Sequence, residues 1–186
     1  NKLLHHVPVR RLEAEAIRDS ILAVSGSLNP KMFGPSVPPY VSTYQDGRGK
    51  PKPGPLDGEG RRSIYIQVRR NFLPAFYLAF DYPLPISSIG ARGTSTVPAQ
   101  ALLMMNNEFV SEQAANWAAK VVEAAADPRD RLALMYRRAF ARIPTQPEVD
   151  QILNFIAEQA QRRADVEVWA DVAHVLFNSA EFLYLR

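Results

Sequence analysis

Residues 61–71 run RRSIYIQVRRN, from Arg61 to Asn71. Ile64, Ile66 and Val68 alternate with Ser63, Tyr65, Gln67 and Arg69, the period-two pattern of a strand with one buried face. The same alternation places Arg62 and Arg70 on the isoleucine face and Arg61 and Arg69 on the tyrosine face. A lone strand needs a partner. Residues 37–44 are the candidate, paired across a long loop as a hairpin, with Pro38 and Pro39 confining them to an edge.

Outward from this stretch the chain divides by composition. All nine glycines lie at or before Gly93, and 11 of the 15 prolines fall between Pro30 and Pro98. Ahead of the stretch, Val9, Leu12, Ala16, Ile17, Ile21 and Val24 recur at helical spacing, and Gly26 stands where a left-handed cap would end the helix. Residues 29–60 then carry too many breakers for a long element, and their Lys/Pro/Gly centre reads as an exposed, mobile excursion. After the stretch, Phe72, Phe76, Tyr77 and Phe80 form an aromatic run stopped by Pro83, and core packing is their expected role.

The remainder is helical. A segment from Pro98 to about Met105 meets Asn107, which can cap a helix with Val110, Ala114, Trp117, Val121 and Ala125 along one side; one bent helix or two would fit. Asp127-Pro128 starts the next, with Leu132, Met135, Tyr136, Ala139, Phe140 and Ile143 in a stripe. Thr145 and Glu148 have capping-box spacing ahead of Val149, Ile152, Leu153 and Ile156. Asp165 opens the last helix, with Val166, Trp169, Val172, Ala173, Leu176 and Phe177 inward. The expected fold is mainly α, a helical bundle with a short β-hairpin or single strand packed on one side. It is one domain of 186 residues, with a helix, irregular and strand region over 1–97 and the bundle over 98–186.

Composition sets further bounds. The 186 residues are 47% hydrophobic and 22% charged, ordinary for one globular domain, and no apolar run is long enough to span a membrane. The chain opens on Asn1 rather than Met and without a signal-peptide pattern, as expected of a processed or excised piece. Cysteine is absent, which removes disulfides, thiolate chemistry and covalent haem attachment within these residues. The net charge of +3 is uneven: residues 1–75 hold 12 Lys+Arg against 6 Asp+Glu, and residues 76–186 hold 10 against 13. Without a dense basic patch interleaved with stacking aromatics, nucleic acid is not an expected partner.

No catalytic constellation stands out. His5 and His6 have no third ligand at metal spacing, and His174 has none at positions 170 or 178, so no metal site is expected. Asp46, Asp57, Glu59 and Asp81 are the acids that could pair in a cleft for glycoside hydrolysis, but the first three sit where acids commonly bond their own backbone. Ser63, Ser87, Ser88 and Ser95 lack a nucleophile elbow. The arginines of the opening stretch remain. They could clamp an anionic ligand or tie the strand ends to nearby carboxylates, Asp81 among them, and to C-terminal helix carbonyls, and the second role is expected because a buried arginine needs pairing in any case.

The order of motifs adds a resemblance. VRRLEAEAIRDSILAVSGSLNPKMFGPSVP, RRSIYIQVRRN, FDYP, STVPAQALLMMNNEFVSEQA, YRRAFARIPTQPE and LFNSAEFLYLR together resemble the planctomycete-specific C-terminal domain catalogued as domain of unknown function 1553, across essentially the whole chain and as its later part. The resemblance implies an exported, periplasmic or cell-surface setting at the end of a multidomain cytochrome-c-type protein. Haem c would then sit elsewhere in the parent and no cofactor in this chain. The implied partners are the parent's other domains, with polysaccharide as a further candidate. Family positions carried over are Arg11, Glu15, Arg61, Arg62, Tyr65, Arg69, Asn71, Asp81, Ser95, Thr96, Pro98, Gln100 and Asn106, none with a known chemical role. Arg61, Arg62, Tyr65, Arg69, Asn71, Asp81 and Gln100 form the candidate ligand-binding set. The expected function is an accessory or interaction domain. The alternative is half of a redox-linked or polysaccharide-acting enzyme site built on Arg61, Tyr65, Arg69 and Asp81.

Overall fold

The computed structural model describes residues 8–86 and 88–185. His5, His6 and Ser87 lie outside the described residues. The protein is mainly α-helical, with eight α-helices and one two-stranded antiparallel sheet among the described residues. No helix there is long and apolar enough to cross a membrane. The chain forms two compact units, Glu13–Phe109 and a discontinuous one made of Asn1–Leu12 with Val110–Arg186.

In the Glu13–Phe109 unit, α1 (Ala14–Ser25) ends at Gly26, whose φ of 70° is the left-handed cap the sequence predicts. The helix starts later than its apolar spacing suggests, because Val9 is exposed and precedes a strand. Ala14, Ile17, Arg18, Ile21, Leu22 and Ser25 are buried at i, i+3, i+4, i+7, i+8 and i+11, one face of the helix. Against α1 pack α2 (Ala75–Ala79) and the 3₁₀ turn Ser63–Tyr65, and α3 (Pro98–Asn106) packs on α2. Phe72, Phe76, Tyr77 and Phe80 are all buried, as their spacing implies, with Phe76 and Phe80 in ring contact at 5.2 Å.

The predicted strand at 61–71 is not formed. Ser63–Tyr65 is a 3₁₀ turn, and Ile64 and Val68, expected inside, are 80% and 50% exposed, whereas Arg61 and Ser63 are buried. The cause is where the backbone donors find acceptors. Ser63 N–H reaches the Asp19 carboxylate at 2.8 Å, and Tyr65 and Ile66 N–H turn back to Arg62 and Ser63 carbonyls. Local and side-chain acceptors therefore take the donors a sheet ladder would use. The proposed partner region is met at one residue: Val37 bridges Ile66, in parallel and not as a hairpin, through Val37 N–H to Tyr65 O and Gln67 N–H to Val37 O, both 2.8 Å.

In the discontinuous unit, β1 (Arg10–Arg11) pairs antiparallel with β2 (Tyr184–Leu185), Arg10 opposite Leu185 and Arg11 opposite Tyr184. Helix α4 (Glu108–Ala124) is separate from α3, because Asn107 is extended between them and its side chain accepts from Phe109 N–H at 3.1 Å. Helices α5 (Pro128–Phe140), α6 (Gln146–Gln159) and α7 (Asp165–Phe177) pack on one another, with α8 (Ala180–Leu183) on α5 and α7. Asp127 caps α5 by accepting from Arg129 N–H at 2.6 Å, and Glu148 accepts from Thr145 N–H at 2.7 Å ahead of α6. The core holds Trp117, Trp169, Met135, Leu132 and Phe177, with Trp117 stacked on Phe177 at 5.1 Å. Two stripe residues differ from expectation. Ile143 is exposed because α5 ends at Phe140 with Ala141 left-handed, and Val166 is exposed in the first turn of α7.

Candidate functional site

The polar centre of the Glu13–Phe109 unit is organised by Arg18, a residue the sequence did not single out. It is 7% exposed. Its Nη1 donates to Arg61 O at 2.9 Å, Ser63 Oγ at 3.1 Å and Asp19 Oδ1 at 3.2 Å, and its Nη2 donates to Asp57 O at 2.6 Å. Ser63 Oγ in turn donates to Asp19 Oδ1 at 2.7 Å. The guanidinium also lies 5.6 Å from the Phe109 ring centroid. One buried cation thus holds residues 57–63 against α1 through charge-assisted bonds to carbonyls and a carboxylate. Glycine is required where the chain passes it: Gly58 and Gly60 have φ of 61° and 66°, and a Cβ on Gly60 would stand 2.3 Å from Ser27 O.

Arg61 is 5% exposed and forms no ion pair among the described residues; of the internal ties expected, to carboxylates and to helix-end carbonyls, it makes one to a carbonyl, that of a loop residue. Its Nη2 donates to Phe33 O at 2.8 Å, and its guanidinium lies 4.1 Å from the Tyr65 ring centroid, where the face of the ring supplies part of the missing negative charge. Arg62 lies 5.8 Å from the same ring. The Tyr65 hydroxyl accepts from Phe33 N–H at 2.9 Å, and that bond, with the charges of Arg62 and Arg61, holds its pKa below the ordinary tyrosine range. Residues 29–37 and 60–67 are thereby laced together, with Asn29 N–H on Gly60 O at 2.8 Å at one end and the Val37 bridge at the other. The result is a ledge that exposes Phe33 and Ile64, flanked in sequence by exposed Lys31, Met32, Val68, Arg69 and Arg70.

The other predicted positions fall into separate groups. Arg69 donates to Gln67 Oε1 at 3.1 Å, and Asn71 is exposed beside the turn closed by Phe72 N–H on Arg69 O. The Asp81 carboxylate accepts from Ser95 N–H and Ser95 Oγ, both at 2.8 Å, while buried Gln100 donates to Ala79 O at 3.0 Å and Ser95 O at 3.2 Å. Asp81, at φ 60°, Ser95 and Gln100 thus close the loop between α2 and α3. Glu15 receives both arms of Arg92, at 2.7 and 2.8 Å; burial works to raise its pKa, but the Arg92 hydrogen bonds outweigh it and the carboxyl sits below its usual range. Asp46 and Asp57 accept from the neighbouring Gly47 and Glu59 amides, the turn role expected of them. Ser88 is exposed and His174 is half-buried on α7. No group of three metal-ligating residues occurs among the described residues.

A cavity of about 430 Å³ opens beside this centre, with Arg18, Tyr40, Tyr44, Tyr77, Glu108 and Phe109 in its wall. None of the seven candidate ligand residues lines it. The sequence carried one signal for Arg18, its position inside the apolar stripe of α1, where a cation must be paired.

No curated protein and no solved structure matches the chain. A family model does, described as Protein of unknown function (DUF1553) and labelled PSD1, over residues 1–156, so the match ends before the LFNSAEFLYLR motif. Over that span, which includes the ledge, the Arg18 centre and the cavity, the chain belongs to the DUF1553 family.

Proposed function

We propose that this DUF1553 chain is an accessory interaction domain of an exported, multidomain cytochrome-c-type protein of planctomycetes, and that its ledge docks another domain of the parent. Haem c is assigned to that other part of the parent. The observation that carries the reading is the ledge itself. Phe33 is 75% and Ile64 is 80% exposed on segments joined by the Arg61, Tyr65 and Val37 bonds, so apolar side chains are presented to solvent by a hydrogen-bonded support. Exposed Lys31, Arg69 and Arg70 flank them in sequence, which fits a partner face that is apolar at its centre and acidic at its edge. The enzyme half-site draws no comparable support, because Arg61, Arg69 and Asp81 bond to Phe33, Gln67 and Ser95 respectively.

The test is surface plasmon resonance of the chain against the parent's other domains, each produced separately. Phe33→Asp with Ile64→Asp is expected to weaken one of these interactions at least tenfold, the loss typical of removing a central apolar anchor, with the circular dichroism spectrum unchanged. Absence of binding to every domain, or an affinity indifferent to both substitutions, refutes the reading.

A further inference from the structure

We infer that the 430 Å³ cavity beside Arg18 is a binding site for a neutral saccharide unit, independent of the ledge. Its volume lies within the ~300–1,000 Å³ of small-molecule sites. Three features of its wall define the ligand. The first is charge. Arg18 has four oxygen partners, one of them a carboxylate, so its cation is already answered, and the wall's one acid, Glu108, is exposed and engaged by the Tyr40 hydroxyl at 3.3 Å. Nothing in that balance selects for a charged ligand, and an anion would meet Glu108.

The second feature is aromatic surface. Tyr44 is 97% exposed in the wall, and Tyr40 stands with it, while Phe76 and Phe109 form apolar depth, their rings 6.1 Å apart edge to face. An exposed tyrosine ring offers a flat π face, negative at its centre, to an apolar C–H face. A pyranose presents such a face, with hydroxyls around its edge. The third feature is that edge. Burial and the Glu108 carboxylate hold the Tyr40 hydroxyl above its ordinary range, so it stays a donor, and Glu108 is an acceptor for ligand hydroxyls. Asn106 and Asn107 each use one side-chain atom internally, Nδ2 on Leu102 O and Oδ1 from Phe109 N–H, which leaves an amide oxygen on one and an amide nitrogen on the other in the wall. Apolar faces with hydrogen-bond donors and acceptors at the rim, and a carboxylate that disfavours anions, describe a neutral sugar better than a nucleotide.

Titration of the ¹⁵N-labelled chain with cellobiose, maltose and N,N′-diacetylchitobiose, each at ~10 mM, tests this, since ~1 mM affinity is the order expected of one shallow stacked site. At least one sugar is expected to shift the amides of residues 40–45 and 106–109 in a saturable way. Tyr44→Ala, at a fully exposed side chain that the fold does not use, should weaken binding about three- to tenfold, the loss of one stacking ring. Phe33→Asp with Ile64→Asp should leave it unchanged, which separates this site from the ledge. Shifts by none of the three sugars, shifts confined to other residues, or binding indifferent to Tyr44→Ala overturns the inference.

Discussion

Replacing Arg18 with methionine tests whether one buried cation holds the Glu13–Phe109 unit together. Methionine keeps the hydrocarbon volume and removes all four donor contacts, to Arg61 O, Ser63 Oγ, Asp57 O and Asp19. Bonds to a charged donor contribute ~1.5–3 kcal/mol each, yet their sum overstates the loss, because such contacts are not independent. Asp19 keeps its bonds from Ser63 N–H and Oγ, and 27% of its side chain remains in water, so its stranded charge is partly screened. Breaking a buried pair costs ~3–5 kcal/mol, and the expectation here is the lower end, ~3–4 kcal/mol. Tryptophan fluorescence is the wrong probe, since Trp117 and Trp169 belong to the other unit. Native-state hydrogen exchange at the Asn29, Val37 and Ser63 amides reads the right one, and their exchange should accelerate roughly a hundredfold to a thousandfold, at ~1.4 kcal/mol per decade. Arg92→Met is the control, an ion pair 37% exposed and worth ~0–1 kcal/mol. Acceleration under about tenfold in Arg18→Met, equal to the control, would refute the reasoning.

Three further outcomes are expected. Gly60→Ala must accept both a left-handed backbone and a Cβ 2.3 Å from Ser27 O, and should destabilise the same unit by ~2–4 kcal/mol, seen as loss of soluble yield and faster Asn29 exchange; unchanged exchange would contradict the close approach. The Arg142 hydrogen bonds hold Glu148 down at about 2, below its ordinary 4.5, so its contribution is complete above pH 4.5 and is lost as pH falls towards 2. After discounting for solvent that contribution is ~1 kcal/mol, and urea melts followed by tryptophan fluorescence should lose this pH dependence in Glu148→Gln. Ala141→Gly relieves a left-handed alanine at φ 56° ending α5, and should change stability by zero to about +1 kcal/mol, whereas Ala141→Val should lower it in the same melts.

The helices were legible because their ends are written in local chemistry. Asp127 and Thr145 with Glu148 mark starts whose bonds form as expected, and Gly26 marks a stop. The aromatic run was legible for a different reason, since Phe72, Phe76, Tyr77 and Phe80 have nowhere favourable to go but inside. The 61–71 stretch misled because alternation reports side-chain faces and says nothing of backbone partners. Ser63 N–H is met by Asp19, 44 residues away, and no local pattern encodes that bond. The two-residue strands failed to register for the same reason, being too short for any period and paired across almost the whole chain. Of the candidate site, Arg61 and Tyr65 were found in mutual contact, but through a ring face and not through a carboxylate. Arg18 was missed because an arginine next to Ile17 looks like surface until its register with Ile21, Leu22 and Ser25 is counted.

That long-range strand pairing bears on how the protein matures. Residues 13–109 form a unit that is contiguous in sequence. The other unit is interrupted in sequence, and Leu12 N–H must wait for Leu183 O before the hydrogen bond of 2.8 Å beside the strand pair can form. On a ribosome the residues of the interposed unit are therefore all present before its host can close, while the host holds an unfinished edge until residues 183–185 emerge. Removing residues 183–185 would strand the discontinuous unit at its closing step.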